Sequence, residues 1–258
     1  MAFEGEHMNP NRLSDSAGTP WAGREFDVNN FAGDDGSAPA KLIEAIAKFH
    51  RQEVTAEAVV DELRESRLLI PLLAQLGESE IGGHGQKVDK SAELSIVTVA
   101  TPDDQNGLPV FSSVAAMQRW NPAARPVPAD ARRVALAAAA EENTRVILDP
   151  ESDTEFAIRR PAIAAVAQGL NWVHPARNKS VFDEIERITS QFDLFEGFQL
   201  EDCDPKSRLH SAELLLQLTL KPGLDQAAVE SLMQNFAVKL GESETIAEHV
   251  DSLRVKLA

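Results

Sequence analysis

Apolar residues recur at helical spacing soon after the first thirty-odd positions. Leu42, Ile43, Ile46 and Phe49 form one stripe behind Pro39, a residue suited to a first helical turn. A second stripe, Val59, Val60 and Leu63, follows Thr55, whose hydroxyl can cap a helix running to Ser66. The two predict a short helical hairpin. Residues 67–74 are an apolar run behind Arg67, which predicts a buried strand. Pro71 lacks a ladder donor, so that strand is expected at a sheet edge or with a bulge. Residues 92–100 alternate, 101–107 read as a hairpin turn, and 108–111 return as a strand. Ser112 or Ser113 then caps a helix carrying Val114, Met117 and Trp120 on one side. Residues 120–128 hold three prolines and are expected as a clamped loop. Asp130 starts an alanine-rich helix able to lie close against a sheet. Residues 145–148 and 156–159 are short apolar strands, and Pro161 opens a helix that stops at Gly169.

The last third has another rhythm. Residues 170–174 read as a strand, and Ser180 can cap a helix holding Phe182, Ile185 and Ile188. Strands follow at 193–200 and 213–220. Asp225 opens a helix with Ala228, Leu232 and Phe236, and 253–257 closes as a strand. The order β-α-β-β-α-β predicts a ferredoxin-like arrangement. The fold class is therefore α/β or α+β. An N-terminal domain with a mixed sheet covers 38–170, and a smaller α/β domain covers 171–258. Residues 1–37 are polar and read as a flexible segment, with Trp21, Phe26 and Phe31 available to dock on the body of the protein or a partner.

Composition narrows the function classes. Of 258 residues, 43% are hydrophobic and 26% charged, as in a soluble globular protein. The formal charge of −16, with no large basic segment, disfavours nucleic acid and anionic membranes as partners. No apolar run approaches the roughly 20 residues of a membrane span. The single cysteine, Cys203, excludes an intramolecular disulfide, and its acidic neighbours Asp202 and Asp204 disfavour the thiolate. With an acidic N-terminus lacking a signal pattern, these features place the chain in the cytoplasm.

Candidate chemistry is sparse. The segment Gly82-Gly83-His84-Gly85-Gln86-Lys87 lacks the Gly-Lys-Ser/Thr ending of a phosphate loop and reads as a connector. The six histidines, at positions 7, 50, 84, 174, 210 and 249, show no zinc spacing. Ser112-Ser113 lacks the flanking glycines of a nucleophile elbow. Acid pairs such as Asp103-Asp104 read as solvated surface. No catalytic, metal or cofactor-binding residue is assigned and no cofactor is expected. Trp120 and Arg125, held in a proline-rich setting, form the one candidate recognition surface.

Five pieces of the sequence together carry a resemblance. They are Arg67-Leu68-Leu69-Ile70-Pro71, Asp89-Lys90-Ser91-Ala92-Glu93, Leu108-Pro109-Val110-Phe111-Ser112-Ser113, Trp120-Asn121-Pro122-Ala123-Ala124-Arg125-Pro126-Val127-Pro128 and Leu148-Asp149-Pro150. This combination, spread over 55–170, resembles the N-terminal domain of the SseB family, named from the enhanced serine sensitivity protein, and within it the actinobacterial branch. The resemblance implies a fold and a bacterial cytosolic setting. It carries no catalytic residues onto this chain. The expected function is a non-catalytic interaction or regulatory role with a protein partner. The alternative is a small-molecule enzyme whose site assembles only in the fold.

Overall fold

Both N-terminal helices form. Helix α1 (Ala40–His50) buries Leu42, Ala45, Ile46 and Phe49, and α2 (Ala56–Arg64) buries Ala56, Val59, Val60 and Leu63. Thr55 stands at the α2 N-cap, but its hydroxyl bonds the Glu57 carboxylate instead of a helix amide. The computed structural model describes residue 31 and residues 33–75 and 93–258. Trp21, Phe26, the 82–87 glycine segment, His7 and His84 lie outside the described residues.

Strand β1 (Arg67–Gln75) is followed by β2 (Glu93–Ile96), β3 (Val99–Ala100), β4 (Asn106–Val110), α3 (Val114–Trp120) and β5 (Arg125–Asp130). Next come α4 (Ala131–Ala140), β6 (Arg145–Leu148), β7 (Phe156–Arg159) and α5 (Arg160–Gln168). Two expectations are corrected here. The proline-rich 125–128 stretch is strand β5, and β1 is the middle strand of the sheet β2-β1-β5, with Pro71 opposite Pro126. One geometric fact explains both. Leu69 exchanges both backbone hydrogen bonds with Phe111, each 2.9 Å. Backbone groups alternate sides along a strand, so Leu68, Ile70 and Leu72 face β5 while Leu69 and Pro71 face away. The register then sets Pro126 and Pro128 between the ladder bonds, pointing from the free edge. None of the three prolines occupies a donor position in the β1–β5 ladder, so that pairing costs them no bond.

The Leu69–Phe111 bridge joins that sheet to a second one, ordered β3-β4-β6-β7, in which β4 and β6 run parallel. Side chains of β1 are buried on both faces. Leu68 and Ile70 enter the main core, while Leu69 packs with Phe111 and Met117 in a satellite cluster. That double burial is why the strand reads as an unbroken apolar run.

A 3-10 turn (Pro175–Arg177) leads into α6 (Lys179–Thr189), β8 (Phe195–Asp202), β9 (Leu214–Leu220), α7 (Gln226–Gly241), α8 (Glu244–His249) and β10 (Leu253–Leu257). The expected strand at 170–174 has no ladder; Leu170 and Val173 are exposed. The sheet therefore has three strands, order β10-β9-β8, with β9 and β10 parallel and adjacent. In the expected β-α-β-β-α-β order, a first strand would separate them. Asn178, not Ser180, caps α6 by accepting from the Ser180 amide at 2.9 Å. Helices α6, α7 and α8 cover one sheet face, where Ile185, Leu216 and Phe236 are fully buried. The protein is α+β, with one core in its first lobe and a second core in its last third.

Candidate functional site

Arg145 opens β6 and Arg159 closes β7, and the register sets them directly opposite one another. Like charges so placed repel. Asp251, just before β10, resolves the conflict. Its Oδ1 accepts from Arg145 Nη1 at 2.8 Å and its Oδ2 from Arg159 Nη1 at 3.3 Å. Each arginine has a further acid. Asp103 Oδ2 takes Arg145 Nε and Nη2 at 2.9 and 2.8 Å, and Asp204 Oδ2 takes Arg159 Nη2 at 2.7 Å. The Arg145, Arg159, Asp251 and Asp204 side chains are 3–7% exposed. Asp103 and the arginines belong to the first lobe, Asp204 and Asp251 to the last third. This chain of charges therefore fastens one to the other.

Glu213, just before β9, is buried behind it. Its Oε2 accepts from the Asp251 amide at 2.7 Å, while Oε1 has no protein partner. Burial, with some help from the Asp251 charge, pushes its carboxyl up to about 7, against the pull of the Asp251 amide, His174 and Arg159. The indole Nε1 of Trp172 is likewise buried and unpartnered. Glu213, Trp172 and His174 line a cavity of about 20 Å³, room for a single water. Nearby, Glu57 of α2 grips Arg177 through two bonds of 2.8 and 2.7 Å and accepts from the His174 amide at 3.1 Å. Burial alone would raise the Glu57 carboxyl, but bonds from Arg177 and Thr55 outweigh it and pull it down to about 2. Outside this network lies an open cleft of about 480 Å³ walled by Asp103, Arg145, Arg160, His210 and Asp251.

The two serines singled out from the sequence divide the work at the ends of β4 and β6. Ser113 caps α3, accepting from the Ala116 amide at 3.1 Å. Ser112 instead bonds Asp149, through its amide at 2.8 Å and its hydroxyl at 2.7 Å. Asp149 is buried in a left-handed conformation, φ 45°, and its Oδ2 also accepts from Thr154 Oγ1 at 2.8 Å. Ligands often sit at the carboxyl ends of parallel strands. Here the acid's oxygens are spent on holding two loops together.

Trp120 is half-buried, its ring 5.3 Å from Phe111. It lines an apolar pocket of about 210 Å³ with Val99, Ile147, Pro150, Ala157 and Leu209, and Glu151, Glu155 and Arg208 are charged members of its wall. Leu209 comes from the β8–β9 loop. It is 2% exposed, held at φ 60°, and packs on Ile147 and Ala157. Arg125 is exposed at the start of β5, opposite Leu72, and is not among the residues lining that pocket. Arg145, Arg159, Asp251, Glu213 and Leu209 lie in no motif that the sequence displays. Only one local signal existed: an arginine at the outer end of each of two short, wholly buried strands.

Among the described residues, no group of three or more His, Cys, Asp or Glu side chains is placed to hold a metal ion, and no helix is long and apolar enough to cross a membrane. Cys203 lies 3.0 Å from Ser211 Oγ. Residues 40–165 match the family model described as the SseB protein N-terminal domain. No curated protein and no solved structure matches the chain.

Proposed function

We propose, from the premise that this chain belongs to the SseB family through its residues 40–165, that it is a non-catalytic cytoplasmic interaction or regulatory protein. Trp120 and its pocket form the recognition surface for a protein partner, with Arg125 as an outlying anchor. One observation carries this reading. The acid displaced furthest towards neutrality, Glu213, faces a space with room only for water, whereas the pocket beside Trp120 is apolar and open. A general acid or base must reach its substrate, and Glu213 has no space in which to do so. An apolar centre with charged neighbours is the anatomy of an interaction hot spot. At about 210 Å³ the pocket suits one side chain of a partner. A drug-sized ligand needs roughly 300–1,000 Å³.

The test is a pull-down from native lysate with the wild type, Trp120→Ala and Arg125→Ala, quantifying each co-purified protein. Trp120 is half-buried, so its truncation costs less than the ~3–5 kcal/mol of a fully buried aromatic and leaves a folded chain. The same proteins should be lost from Trp120→Ala and depleted from Arg125→Ala. Full retention by both folded variants refutes the surface. The enzyme alternative rests on the Asp103–Arg145–Asp251 cleft; turnover of a small molecule that Asp103→Asn abolishes would establish it instead.

A further inference from the structure

The β8–β9 loop is fastened at every second residue. The Ser207 carbonyl accepts from the Ala157 amide at 2.7 Å, and the Leu209 amide donates to Asp204 Oδ2 at 2.8 Å while its side chain is buried. Ser207 and Leu209 both hold left-handed backbone, φ 48° and 60°. Such conformations persist only where the surroundings over-determine them. The intervening residues Lys206, Arg208 and His210 are thereby turned into one groove of about 540 Å³, walled on the other side by His50 and Gln52 at the end of α1. Arg208 is further positioned by donating from Nη2 to the Ser152 carbonyl at 3.0 Å. Asp153 is the acid among its lining residues, and the Glu155 carboxylate stands 4.0 Å from Arg208 Nε. In a chain of net charge −16, this is a local concentration of cations.

We propose that this groove binds a small phosphate-bearing molecule, with Lys206 and Arg208 as the permanent cationic contacts and His50 and His210 lining the same wall. An arginine and a lysine converging on one concavity suit a compact dianion. The size falls in the range of small-molecule sites, about 300–1,000 Å³. The acidity of the rest of the protein repels large polyanions at long range, so the ligand is a free small molecule and not a nucleic acid or lipid surface. The carbonyl end of α1 also faces this region. Its last carbonyls are capped by the amides of Arg51, Gln52 and Glu53, which leaves its dipole a minor opposing influence.

The field in the groove is visible at His50. Its imidazole is held below the ordinary range by burial, then by the charges of Arg208 and Lys206, against the Glu155 carbonyl bond and Asp153. A bound anion should cancel that effect and raise it.

The probe is inorganic pyrophosphate, titrated into the full chain by calorimetry and by ring-proton NMR of His50 and His210. Saturable binding should appear, with the His50 titration midpoint rising on saturation. Lys206→Gln, an exposed change, should weaken binding at least tenfold, and Lys206→Gln with Arg208→Gln should abolish it. Vesicles bearing phosphoinositide headgroups should bind no better than plain phosphatidylcholine vesicles; stronger binding to them would overturn the free-ligand assignment. Absence of saturable binding at millimolar pyrophosphate, or undiminished affinity in folded Lys206→Gln, would overturn the site.

Discussion

Asp251→Asn removes the one charge shared by two opposed, buried arginines. In the wild type each Asp251 oxygen accepts from a different guanidinium, at 2.8 and 3.3 Å, and the side chain is 3% exposed. Asparagine keeps the shape but puts an N–H₂ donor against a guanidinium donor. Breaking a buried pair by removing one partner costs about 3–5 kcal/mol, because a charge is left uncompensated. Arg145 keeps Asp103 and Arg159 keeps Asp204, so the expected cost lies at the lower end, ~3 kcal/mol. With a urea slope of about 2 kcal/mol/M, the midpoint should fall by roughly 1.5 M. The assay is urea denaturation followed by both tryptophan fluorescence and far-ultraviolet circular dichroism. Trp120 reports on the satellite cluster of the first lobe and Trp172 on the first core and the junction, and circular dichroism reports on both lobes. A loss under about 1 kcal/mol would refute the reasoning. It would mean that the charge chain is hydrated and does not fasten the lobes.

Three further outcomes follow from the same geometry. Glu213 titrates near 7 when folded and near 4.5 when unfolded, so the folded chain holds the extra proton between those values and stability falls as pH rises through that window. Glu213→Gln should flatten that slope and gain up to about 3 kcal/mol above pH 7.5 relative to wild type; equal pH dependence in the two proteins would contradict the assignment. Glu57 is shifted the other way, to about 2, so its contribution is present above pH 4.5 and lost on acidification towards 2. Arg177 is 39% exposed, so the expected loss is ~1–2 kcal/mol, absent in Glu57→Gln. Limited proteolysis should cut within 170–173, where the backbone has no ladder and Leu170 and Val173 are exposed; a 38–258 fragment that resists all cleavage would contradict separable domains.

The legible parts of the fold were those set by local pattern. The α1 stripe at Leu42, Ile46 and Phe49, the Ser113 cap, and the β6 and β7 runs are each decided within a few residues. The errors came where pairing decides. Prolines at 71, 126 and 128 argue against a central strand and its neighbour until the register shows each one off the hydrogen-bonding positions of the β1–β5 ladder. Residues 170–174 have strand composition but no partner edge, and Trp172 instead packs on the first core. The charge network was illegible because its members lie far apart, Arg145 and Asp251 being 106 residues from each other. Lys206-Ser207-Arg208-Leu209-His210 did carry an alternating pattern, cation-small-cation-apolar-histidine. Its meaning depends on Leu209 finding Ile147 and Ala157 across the lobes. Trp120 was readable as a distinctive residue, but its pocket is built from β3, β6, β7 and the β8–β9 loop, which only folding brings together.

Site-specific photocrosslinking in cells tests the protein-recognition surface at Trp120. A photoreactive residue replaces Glu151 in the pocket wall or, as a control, Glu230 on the exposed side of α7. A recognition surface there should give a discrete protein adduct from position 151, absent from 230 and lost when Trp120→Ala is added. Equal adducts at both positions, or an adduct at 151 indifferent to Trp120→Ala, would contradict it.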